Sequence, residues 1–169
     1  MKKLLTITLL SIISATSFAS TDSPYTMAVI KNTNGANEIK QGLYEQGIKQ
    51  INKTLSSQTE IDMVATQMNL CVAYASTEDF NNANSACDRA IELSSNYQKS
   101  STQAKRVAAL ALNNRAILKA KLKDYDGAVE DLILALDVKK SRTIKNNLLK
   151  IQELQTQNVQ SAQTQSSEV

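Results

Sequence analysis

Three stretches of this chain align without a gap: LYEQGIKQINKTL (43–55), DFNNANSACDRAI (79–91) and DYDGAVEDLILAL (124–136). Each sets an aromatic (Tyr44, Phe80, Tyr125), then three residues on a small residue (Gly47, Ala83, Ala128), then four on an apolar one (Ile51, Cys87, Leu132). Three further on comes a second small position (Thr54, Ala90, Ala135), followed at once by Leu55, Ile91 or Leu136. Steps of three and four keep these positions on one helical face. Small residues there let another helix approach closely. With one Pro and four Gly, helix breakers are nearly absent, and strand formers are sparse. The chain is therefore read as all-α.

A partner helix lies upstream of the second and third stretches. Asn69-Leu70-Cys71-Val72-Ala73-Tyr74 and Asn114-Arg115-Ala116-Ile117-Leu118-Lys119 share an Asn, and two residues later a small residue that sits twelve before the small residue of the following helix. Asp79 and Asp124 fall where the second helix of each pair begins, where a carboxylate accepts from free amide hydrogens. Thr59-Glu60-Ile61-Asp62 reads as a capping box. The unit is helix, short turn, helix.

These residues resemble the tetratricopeptide repeat family, in which an Asn-Leu-Gly/Ala-x-x-Tyr core is followed by Gly-Asp-Tyr-x-x-Ala and a further small residue. Asn69, Leu70, Cys71 and Tyr74 with Ala83 and Ala90 make one repeat; Asn114, Ala116, Asp124, Tyr125, Ala128 and Ala135 make another. The resemblance spans about residues 38 to 142 and implies a short right-handed helical-repeat solenoid of helix-turn-helix units. The intervals between aromatics, 36 and 45 residues, exceed the family's period of about 34, which predicts longer helices around Ser94 to Leu122. Arg115 and Lys119 replace apolar positions of the family, and their stems are expected to pack while their charges snorkel to water. Asn32-Thr33-Asn34-Gly35 reads as a turn, so the first stretch has a poor partner helix.

From Ser141, Ile144, Leu148, Ile151 and Leu154 recur at helical spacing, an amphipathic capping helix closing the array. The expected organisation is a signal peptide over 1–19, an irregular segment over 20–37, the repeat domain over 38–155, and a disordered Gln/Ser-rich tail over 156–169. The signal rests on Lys2 and Lys3, an apolar run from Leu4 to about Ala15, and the small-x-small pattern Ser17-Phe18-Ala19. That run is shorter than the roughly 20 residues a membrane span needs. A periplasmic or secreted bacterial protein is the expectation. In the repeat register Cys71 and Cys87 face each other across one helical hairpin, and in an oxidising compartment they are expected to form a disulfide. The alternative is two buried free thiols serving as small apolar residues.

The chain contains no histidine, which removes Ser-His-Asp and Cys-His nucleophiles and the commonest transition-metal ligand. No Gly-rich phosphate loop or calcium loop is present. Glu78-Asp79 and Glu130-Asp131 read as solvated acids, since consecutive helical residues do not share a face. No catalytic residue, cofactor or metal is expected. The resemblance implies instead a non-enzymatic adaptor that binds a peptide or a partner helix in a concave groove lined by Met68, Val72, Asn113, Ile117 and Lys121. The alternatives are that these side chains only pack against neighbouring helices, as in a structural subunit of an envelope complex, or that the protein is a carboxylate-dependent hydrolase.

Without Lys2 and Lys3 the chain carries 17 basic and 16 acidic residues, and no nucleic-acid partner follows from that balance. The charge is uneven, however: residues 102 to 150 hold eleven basic and five acidic side chains. This half could steer an acidic partner, lie against anionic lipid, or support head-to-tail homodimerisation with the acidic remainder; a solvated helix face with scattered lysines accounts for it equally well.

Overall fold

The computed structural model describes residues 24–57, 60–97 and 101–166. Among them there is no strand, and seven α-helices follow one another: α1 (Ala36–Lys40), α2 (Tyr44–Thr54), α3 (Glu60–Ser76), α4 (Phe80–Tyr97), α5 (Thr102–Lys121), α6 (Tyr125–Val138) and α7 (Arg142–Ser166). The three aligned stretches are α2, α4 and α6, and the aromatic of each is its first helical residue. α5 has 20 residues, which accounts for the long interval between Phe80 and Tyr125. The expected signal peptide and Thr59 lie outside the described residues.

The same turn precedes each aromatic. Gly42, Glu78 and Lys123 all adopt positive φ, at 79°, 60° and 65°. The next residue closes each preceding helix by donating its N–H five residues back: Leu43 to Glu38, Asp79 to Tyr74 and Asp124 to Lys119, at 2.8, 3.0 and 2.9 Å. This left-handed cap satisfies carbonyls the helix end would otherwise leave open. Asp79 and Asp124 then cap the following helix, accepting from the N–H of Asn82 and of Gly127.

Every helix packs on its successor, and α1, α3, α5 and α7 also touch in turn, so they form one layer with α2, α4 and α6 behind it. The close approach uses the small face predicted above. Ala83, Ala90, Ala128 and Ala135 are fully buried, as are Ile51, Cys87 and Leu132. At Gly47 a β-carbon would stand 2.5 Å from the Ile39 side chain, so only glycine admits α1 there. Cys71 and Cys87 are disulfide-bonded between α3 and α4, with their Cα atoms 4.9 Å apart.

Three expectations are corrected. Arg115 and Lys119 do not snorkel to water; they converge on Asp131, whose side chain is only 3% exposed. Arg115 grips it with two bonds of 2.8 and 2.7 Å and holds Asp88 of α4 with a third of 2.9 Å. Lys119 stands 3.0 Å from Asp131. The hydrogen bonds that Arg115 donates to Asp131 raise its pKa, with Asp88 adding to them against the opposing effect of burial. Arg115 of α5 is therefore the hub joining α4 and α6, and Asp131 is a buried partner rather than a solvated acid, whereas its neighbour Glu130 is exposed. The tail correction is at α7, which runs on to Ser166 rather than ending near 155. Its anchored part buries Ile144 and Ile151, and beyond it Gln, Ser and Ala with no Gly or Pro extend an existing helix without a new nucleus.

Candidate interaction face

Pro24 to Ile30 form no helix; they lie across α7, α5 and α3 in that order, then reverse through residues 31–35 into α1. What holds them is a row of buried asparagines. Asn69 of α3 accepts from the Ile30 N–H at 2.8 Å and donates to the Ile30 carbonyl at 2.9 Å. Asn114 of α5 does the same for Ala28 at 2.7 and 2.8 Å. Asn147 of α7 does it for Thr26 at 3.1 and 3.0 Å.

A primary amide carries one acceptor and one donor group side by side. It can therefore meet both backbone groups of one residue only where they point the same way, as they do in extended chain. Successive residues of such a chain alternate direction, which is why residues 26, 28 and 30 are taken and 27 and 29 are passed over. The asparagines also brace one another. Asn147 donates to Asn113 at 2.8 Å, Asn113 donates to the Thr26 carbonyl at 3.1 Å, and Asn69 donates to the Thr33 hydroxyl at 2.7 Å.

Side chains of the segment fill both flanks. Met27 and Val29 pack on the cluster that holds Ile39, Ile51, Val72 and Leu118. Ala28 and Ile30 pack on the one that holds Val64, Met68 and Ala111. Tyr25 packs beside Tyr125 on the cluster of α5, α6 and α7; its burial, and then that neighbour, push its phenol above the ordinary value. The Lys150 ammonium donates to the Pro24 carbonyl.

The five residues expected to line a groove are thus divided. Val72 and Lys121 line one cleft of about 480 Å³ together with Tyr25, Met27 and Val29. Met68, Asn113 and Ile117 are fully buried, Asn113 as part of the asparagine row. Their expected role as an open binding surface is corrected: the segment 24–30 covers this layer, with Ala28 and Ile30 packed over the Met68 cluster. On the other flank a cleft of about 670 Å³ is shared by Ala28, Val29 and Ile30 with the starts of α5 and α7. Lys31, Arg106, Lys139 and Lys140 line it, and no carboxylate does.

Asn147 and the segment itself escaped the sequence reading. Asn147 lies 34 residues after Asn113, the period of the family that the sequence resembles, and that spacing was the available signal. Tyr25, Met27 and Val29 alternate with smaller or polar residues, the mark of an extended run.

Among the described residues no group of His, Cys, Asp and Glu is placed to hold a metal, and no helix is long and apolar enough to cross a membrane. No protein-family model, curated protein or solved structure matches the chain.

Proposed function

We propose that this protein is a non-enzymatic adaptor, a short tetratricopeptide-like solenoid that works in the periplasm or after secretion and receives a partner protein on the face built by α3, α5 and α7. The observation that supports this most is the asparagine row. It grips backbone rather than side chains, so it fixes an extended chain on that face whatever its sequence, and open clefts flank the chain it holds. The Cys71–Cys87 disulfide agrees with an oxidising compartment. A second reading, a structural subunit with no separate ligand site, draws support from the fact that the protein's own segment already occupies the row.

Photo-crosslinking in the producing cell separates them. Benzoylphenylalanine is placed at Arg106 or Lys121, which flank the segment, and at Lys49 or Asn82 on the opposite layer; all four are exposed. An adaptor gives discrete adducts from the first pair alone. Adducts confined to the second pair favour the structural subunit, and none from any position overturns both.

A further inference from the structure

The residues that the asparagine row passes over carry a consequence for the partner's chemistry. Thr26, Ala28 and Ile30 turn their backbone groups towards Asn147, Asn114 and Asn69. The N–H and C=O of Met27 and Val29 therefore point the other way, and neither residue has a hydrogen-bond partner among the described residues. Their side chains are half-buried against the Ile39 and Leu118 cluster, so this edge is held in place. An ordered edge of unpaired backbone groups is a template for a second extended chain.

Charge and shape select which chain. The 670 Å³ cleft beside the edge has an apolar floor that includes Val107, Leu110 and Ile144, and its four cations are unaccompanied by any lining carboxylate. α5 and α7 both begin at this cleft, which turns two positive helix ends towards it. Given the adaptor reading above, we infer that the outer edge at Met27 and Val29, with this cleft, docks an extended acidic segment of the partner protein. That segment adds a strand to residues 26–30. Its alternate carboxylates face Lys31, Arg106, Lys139 and Lys140, and its apolar side chains, which turn the opposite way, lie over Tyr44 and Val72 in the 480 Å³ cleft on the other flank.

The test is an amide-resolved NMR titration of the full chain with a blocked heptapeptide of alternating Glu and Val. The expected result is saturable binding that shifts the Met27 and Val29 amide protons downfield and weakens with added salt. The same peptide with alternate backbone nitrogens methylated, and a Lys-Val counterpart, should bind about ten-fold or more weakly. Two protein variants report the two halves of the site. Lys139→Glu with Lys140→Glu opposes the carboxylates. Val29→Pro removes an outward N–H without removing any bond to the asparagines, and a proline there suits an extended Ala28.

Both variants should lose affinity by about ten-fold while their melting stays within a few degrees of wild type. Equal affinity of the methylated peptide, equal affinity of the Lys-Val peptide, or no binding to the wild type overturns the inference. So does self-association that already occupies the Met27 and Val29 amides. If the peptide fails while crosslinks from Arg106 and Lys121 persist, only this partner chemistry falls; if both fail, the adaptor reading falls with it.

Discussion

Replacing Asn114 by alanine deletes both bonds to Ala28, of 2.7 and 2.8 Å, and truncates a side chain only 1% exposed. A hydrogen bond of this kind contributes about 1 kcal/mol net. With the void left behind, the expected loss is about 2–3 kcal/mol, or roughly 5–10 °C in melting temperature for a chain of this size. Asn114→Asp is the sharper perturbation. It keeps the acceptor for the Ala28 N–H but sets a carboxylate oxygen against the Ala28 carbonyl, where the amide donor stood. Burial and that carbonyl raise the folded-state pKa of the new carboxyl, so its stability penalty is largest at neutral pH and shrinks as pH falls through that raised value. Urea denaturation followed by far-ultraviolet circular dichroism measures both, with the exposed Asn158→Ala as control, expected within about 0.5 kcal/mol of wild type. If Asn114→Ala matches the control, or Asn114→Asp is as stable as wild type at neutral pH, the segment is not held as described.

Three further outcomes follow from the packing. Unreduced, denatured protein should show no reactive thiol, and reduction should lower stability by about 3 kcal/mol for a loop of this length; two reactive thiols would contradict the bond. Asp131→Leu leaves Arg115 with Asp88 alone and Lys119 with only the Gly127 carbonyl and should cost about 3 kcal/mol, whereas adding Arg115→Leu should recover most of that, a difference that the cycle of these two substitutions reads directly. Glu78→Gly and Lys123→Gly relieve positive-φ strain at two exposed turns and should each stabilise by up to about 1 kcal/mol in the same urea assay; destabilisation would mean that those turns are not the left-handed caps described.

The helical pairing was legible because it is written in local periodicity. Ala83, Ala90, Ala128 and Ala135 recur on one face, and any helix bearing them must be approached closely, whatever its neighbours. The disulfide followed from the same register. What lay beyond reach depends on groups far apart in sequence. Asp131 looked solvated beside Glu130 because its partners stand on another helix; Arg115 and Lys119, one turn apart on α5, were the hint that a single acid faced both. Met68 and Ile117 were assigned to an open groove by register, but a segment 39 residues before Asn69 closes over that layer, and nothing local to either residue announces it. Asn113 was placed on the right face with the wrong role, since an amide that grips a backbone looks, in sequence, like one that waits for a ligand.

The central claim is that residues 24–30 lie extended on Asn69, Asn114 and Asn147, and amide-resolved hydrogen exchange of the peptide-free protein tests it most directly. Protection should alternate, slow at Thr26, Ala28 and Ile30 and fast at Met27 and Val29. Uniformly fast exchange would place the segment in solvent, and uniform protection would mean that its outer edge is already paired; either contradicts the account.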